Sequence, residues 1–395
     1  MTETTLQSAP QPSPLARIAL LAYLFLIAYA SWFPFSGWRD VGLAPWGYLW
    51  EPMPKYWTKF DALINIGGYI PLGMLIVYAL HPGVRKTGAV VIAILAGALV
   101  SGTMEAVQYY LPTRVSSILD FYTNLGGACI GALLAAWSAP ALLERGRLRL
   151  LRAQWFQHKA SSGMILLALW PLAQIFPQGY LFGHGQILPI LLDWISDALS
   201  DWTPEPLSDW LTSWQNDLLS VPIHLDTFLS DNSGPSAGRY WLLETLITAS
   251  GLTGAVLLLH CLLRKSAPKV ALTLILVGAA LAVKSLATAL LFAPENAFVW
   301  ITTGAQSGLL VAALMLSGLI YTRPVIQRRL AVLMLTVSLL VVNSVPVNPY
   351  FVATLQAWVQ GKFLNFNGAA HFLSLLWPFL ALWFLLHPLH RIKHQ

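Results

Sequence analysis

Ten runs of mostly apolar residues divide the chain, at roughly 17–35, 61–80, 88–108, 118–138, 163–182, 241–263, 270–292, 297–320, 330–346 and 366–387. A helix needs about 20 such residues to cross the hydrocarbon core of a bilayer, so each run predicts a spanning helix. The fifth run carries Pro171 and Pro177, and the ninth is short. The first is longer than the apolar part of a usual signal peptide, and no basic residue precedes Arg17, so it reads as an uncleaved anchor. The expected fold class is all-α: a polytopic transmembrane helix bundle of about ten spans.

Composition supports the pattern. Of the 395 residues, 56% are hydrophobic and 10% charged, against about 25% charged in a soluble protein. Seventeen tryptophans exclude a disordered chain. The net charge of +6 does not point to nucleic acid, because the basic residues fall in short loops between apolar runs. Cys129 and Cys261 both lie inside apolar segments, so no disulfide framework is implied.

Those basic loops predict orientation, since loops rich in Lys and Arg stay cytoplasmic. With the N-terminus inside, sixteen Lys and Arg fall in inside segments and six in outside segments, with Lys284 inside a run. Both ends are then cytoplasmic, an N-in/C-in arrangement. Three regions are expected: 1–143, a four-helix membrane domain; 144–160, a basic cytoplasmic loop; and 161–395, a six-span region with an acidic, Trp-rich outer segment at about 183–240. In that segment Asp193, Asp197 and Asp201 stand at i, i+4, i+8 beside Trp194 and Trp202, and Trp210 and Trp214 repeat the spacing. Two short amphipathic helices lying at the interface are expected, either as a structural belt or as a lid over an outer site.

Ionisable groups inside spans are expensive and usually face a cavity or a partner. Asp61, Asn65 and Gly68 stand at i, i+4, i+7 in the second run, ahead of Pro71 and Gly73. Ser101, Glu105 and Gln108 share a face of the third. Asp120, Asn124, Gly127 and Gly131 share a face of the fourth, whose two glycines permit close helix contact. The loop between the third and fourth runs carries Arg114, Ser116 and Ser117. Alternating spans bring all these polar residues to one depth, near the outer surface. As packing glue each contact contributes only about 0.6–2 kcal/mol, a small return for three carboxylates beside hydrocarbon. Arg114 is expected within reach of at least one of them. Lys284 is expected to pair with Glu244 or a backbone carbonyl. No zinc, phosphate-loop or nucleophile-elbow motif is present, so no metal site is expected and no cofactor is indicated.

The stretches FDALINIGGYIPLG (60–73), SGTMEAVQ (101–108) and RVSSILDFYTNLGGACIG (114–131) resemble the VanZ-like family of bacterial membrane proteins. The family pattern is D-x-x-x-N ahead of P-L-G, then S-x-x-x-E-x-x-Q, then R-x-x-S-x-x-D-x-x-x-N-x-x-G. Asp61, Asn65, Pro71, Leu72, Gly73, Ser101, Glu105, Gln108, Arg114, Ser117, Asp120, Asn124 and Gly127 match it. The resemblance implies a multi-pass protein of the bacterial plasma (inner) membrane with a role at the cell envelope. The name-giving member is associated with resistance to the glycopeptide teicoplanin. The resemblance supplies no reaction; by their type, as carboxylates that can act as acid and base, Glu105, Asp120 and Asp61 are candidate catalytic residues. Arg114, Asn65, Gln108, Ser117 and Asn124 are candidate ligand-binding residues. The expected partner is a membrane lipid or lipid-linked envelope precursor, with a membrane-protein partner as a further candidate. A transporter or flippase, with Pro71, Pro171 and Pro378 as helix breaks, and a non-catalytic scaffold are the alternatives.

Overall fold

The computed structural model describes residues 13–33, 35–40, 42, 44–144, 147–157, 160–188, 190–191, 194–195, 237–291, 294–345 and 364–387. The described residues are helical, with no strand among them. In chain order the helices are α1 (Pro14–Trp32), α2 (Lys59–Leu80), α3 (Lys86–Gln108), α4 (Ile118–Ala139), α5 (Arg147–Trp155), α6 (Ser161–Ala173), α7 (Ala237–Leu262), α8 (Lys269–Leu291), α9 (Thr303–Leu319), α10 (Pro324–Ser344) and α11 (Leu364–Leu386). Eight are long and apolar enough to cross a membrane, while α6 and α9 are shorter apolar helices. Each of the ten apolar runs overlaps one of these ten helices. The ninth run becomes the 21-residue α10, longer than its apolar pattern. The fifth stops at Ala173, ahead of Pro177, because the chain turns there. Apart from Trp194 and Ile195, the expected amphipathic helices around Asp193–Asp201 and Trp210–Trp214 lie outside the described residues.

The chain forms two compact units, Met1–Ile165 and Leu166–Gln395, and the boundary falls inside α6. The stretch 144–160 is not a plain loop: α5 occupies most of it, and Arg152 donates to the Ser161 hydroxyl at 2.6 Å.

In the first unit α2 and α4 pack along their length, α3 lies on α4, and α1 lies on α2 and α3. Glycine sets the α2–α4 spacing. A Cβ at Gly127 would overlap the Ile66 carbonyl oxygen, one at Gly131 the Ile70 carbonyl, and one at Gly73 the Ala128 carbonyl. Backbones this close exclude any side chain at these positions. Leu72, Ala93, Ala128 and Ala132 fill the core beneath. Pro71 stays inside α2 without breaking it. It deprives the Gly67 carbonyl of a donor, and the Tyr23 hydroxyl of α1 donates to the neighbouring Gly68 carbonyl at 2.6 Å.

In the second unit α7 is buried along most of its length, with α9 and α10 packed against it and α11 against α10. The chain after α6 turns back into this unit instead of leaving it at residue 183. Tyr180, Phe182 and His184 are buried. Asn343 of α10 holds the turn: its side-chain oxygen accepts from the Ile187 and Leu188 amides at 2.9 and 2.8 Å, and its amide donates to the Gly185 carbonyl at 2.8 Å. Pro171 and Pro378 also lie within continuous helices.

Candidate functional site

The up-down order of the first unit brings the C-terminal ends of α1 and α3 and the N-terminal ends of α2 and α4 to one end of the bundle. The carboxylates gather there in order of depth. Asp61 is exposed, Asp120 half-buried, and Glu105 only 3% exposed. Asp61 lies close enough to Asp120, and Asp120 to Glu105, for their charges to act on one another.

Local structure holds each one. Thr58 caps α2: its hydroxyl accepts from the Asp61 amide at 3.1 Å and donates to the Asp61 carboxylate at 2.6 Å. The sequence signal was a threonine three residues before an acidic residue at a helix start. Asp120 accepts from the Asn65 side-chain amide of α2 at 2.8 Å. Glu105 accepts from the Ser117 amide at 3.0 Å, at the N-cap of α4, where the positive end of the helix dipole favours an anion. The Ser117 hydroxyl accepts from the Leu119 amide at 3.2 Å, and the Ser116 hydroxyl donates to the Glu105 carbonyl at 2.7 Å.

Deeper in, Asn124 donates to the Ser101 hydroxyl at 3.0 Å, and its own side-chain oxygen is buried without a hydrogen-bond partner among the described residues. The Tyr69 hydroxyl is buried beside Ser101 and Glu105 and makes no hydrogen bond of ordinary geometry among the described residues.

Arg114 and Gln108 do other work. The Arg114 guanidinium donates to the Phe33 carbonyl at 3.1 Å and to the Ala30 carbonyl at 3.4 Å. Gln108 donates to the Ser31 carbonyl at 3.0 Å. The last carbonyls of a helix have no partner within it, and a cation there also meets the negative end of the dipole. Both side chains therefore bind the end of α1. Arg114 is turned to these carbonyls, not to a carboxylate as its charge had suggested, and its partial burial lowers its pKa to about 10.

The segment between α1 and α2, which the motif reading passed over, covers this end. Tyr48 is buried and donates to the Gly102 carbonyl at 3.3 Å. Burial, and then the nearby Glu105 charge, push the Tyr48 hydroxyl up to about 12. The Arg39 amide donates to the Tyr110 carbonyl at 3.0 Å. Around these anchors Trp38, Trp46, Trp50, Tyr56 and Trp57 are exposed, Trp50 at 80% and Tyr56 at 94%. Aromatics of this kind favour the headgroup layer. Among the described residues no group of three His, Cys, Asp or Glu side chains is placed to hold a metal ion.

A bundle of long apolar helices with a graded row of carboxylates at one end defines a multi-pass helical membrane protein. Residues 15–139 match the family model described as VanZ/LLP1, and this part of the chain is VanZ-like. The match covers less than half of the chain, and it takes in α1, which the motif residues alone had left out. No curated protein and no solved structure matches the chain.

Proposed function

We propose that the VanZ-like unit binds or modifies an outer-leaflet, lipid-linked component of the bacterial cell envelope, with the Asp61–Asp120–Glu105 row facing its polar head. The observation that carries this reading is the row itself. Three carboxylates share one end of the bundle, and the neighbouring guanidinium is engaged by α1. Such a row favours an amine or sugar hydroxyls over a phosphate. The unpartnered Asn124 oxygen adds an acceptor. Exposed tryptophans beside the row support a place at headgroup depth, and the excess of Lys and Arg in the other loops supports an outward face in an inner-membrane protein. The association of the family's name-giving member with glycopeptide resistance supports an envelope role.

Glu105, the most buried of the three, is the acid or base of any reaction carried out there, and Asp61 and Asp120 contact the ligand. Transport has less support, since Pro71, Pro171 and Pro378 all sit inside continuous helices instead of separating half-helices. Mass spectrometry of lipid co-purified with the whole protein tests the reading. A headgroup bearing sugar or amine, lost in Asp61→Asn at unchanged folded yield, supports it. Loss of yield in step with loss of ligand, or the same lipid profile in both proteins, leaves the row as packing glue.

A further inference from the structure

Lys284 lies well inside α8, a helix long and apolar enough to span the membrane. It neither snorkels to an end nor pairs with Glu244. The residue is 5% exposed, and its Nζ is buried without a hydrogen-bond partner among the described residues. Glu244 of α7 packs instead against the start of α9, bonded to Thr302 and lying on Gly304. An ammonium in a low-dielectric interior without a partner is among the costliest arrangements in a protein, so its retention needs an occupant that repays it.

The surroundings are polar. Lys284 is close enough for its charge to act on the His184 ring. That ring is flanked by Gln174 at 2.6 Å and Gln178 at 2.7 Å, with the Ser374 hydroxyl at 3.4 Å. Both contacts are made by the glutamine amide nitrogens, and a neutral imidazole can accept from only one of them. The side-chain oxygens of both glutamines are buried and without a partner among the described residues. The interior thus holds an unsatisfied cationic donor and an unsatisfied acceptor in one neighbourhood.

We propose that the second unit binds a ligand carrying an anionic oxygen and an O–H or N–H donor, with the anionic oxygen against the Lys284 ammonium and the donor against a glutamine oxygen. The site is independent of the carboxylate row and does not rest on the function proposed for it. Inorganic phosphate and a phosphatidylglycerol headgroup share this chemistry.

The test is the melting temperature of the full-length protein in a neutral detergent, at constant ionic strength. One arm adds inorganic phosphate against chloride, and the other adds phosphatidylglycerol against phosphatidylcholine in mixed micelles. The wild type should be stabilised in one arm, which identifies the source. A ligand at 100 times its dissociation constant stabilises by about 2.7 kcal/mol, a readily measured shift. Lys284→Met should fold at least as well as the wild type without ligand and lose the shift. Lys284→Gln serves if the methionine variant is not recovered. A wild type that responds in neither arm, or a Lys284 variant that keeps the full response, overturns the proposal.

Discussion

The Asn65 side-chain amide donates to the Asp120 carboxylate at 2.8 Å, tying the first turns of α2 and α4 together beside the exposed Asp61. Hydrogen bonds to charged groups contribute roughly 1.5–3 kcal/mol. Asn65→Ala should lower the stability of the detergent-purified protein by about that amount, read as a drop in melting temperature. Asp120→Asn should cost less, because it also relieves the repulsion from Asp61. An equal loss in both variants would mean that the negative charge itself is what α2 requires.

Gly127 and Gly131 lie against the carbonyls of Ile66 and Ile70. Gly127→Leu should force α4 away from α2, at a cost in the overpacking range of about 1–3 kcal/mol or more, and collapse the folded yield seen by size-exclusion chromatography. Leu133→Ala, on the exposed face of α4, should leave the yield nearly unchanged. Equal tolerance at both positions would remove the interface.

Arg114 spans the Phe33 and Ala30 carbonyls. Arg114→Lys keeps the charge but not the fork of donors, so it should loosen the end of α1. Limited proteolysis between α1 and α2 should then quicken, and Arg114→Ala should quicken it further. If either variant lost ligand with unchanged proteolysis, Arg114 would belong to the ligand instead.

His184 should make the second unit sensitive to acid. Burial, and then the Lys284 charge, hold the ring well below its usual range, to about 3. An unfolded histidine takes up its proton near 6.5. Between these values the unfolded chain binds more protons, so stability is full above about pH 6.5 and falls as the pH drops, by at most about 1.4 kcal/mol per unit. Melting curves across this window should show the decline, and His184→Asn should flatten it.

Orientation is tested by labelling from outside, in a background without Cys129 and Cys261. A cysteine at Val115, which is 84% exposed at the carboxylate end, should react with an impermeant reagent. One at Arg85, exposed at the other end, should not. The reverse result would move the carboxylate row to the cytoplasm.

The apolar runs were legible because spanning a bilayer imposes a length, and the shared faces of Asp61/Asn65, Ser101/Glu105 and Asp120/Asn124 because helical spacing does the rest. The gradient of burial from Asp61 to Glu105 followed from the same spacing. The partner of Arg114 was not legible: it binds the unpaired carbonyls at a helix end, which any sequence supplies, whereas a nearby carboxylate is conspicuous in the sequence. Tyr48 was missed for a related reason, since a loop aromatic looks the same whether it anchors in the bundle or rests among headgroups. The turn after Ala173 depends on Asn343, more than 150 positions away, and no local pattern announces it.

Gln108 and Arg114 grip the end of α1 from positions 77 and 81 residues further along the chain. During synthesis α2 can take up the flank of α1 early, through the Tyr23–Gly68 contact, but the C-terminal end of α1 has no hold until α3 and the loop beyond it have left the ribosome. A nascent chain halted before residue 108 would leave α1 unattached at that end.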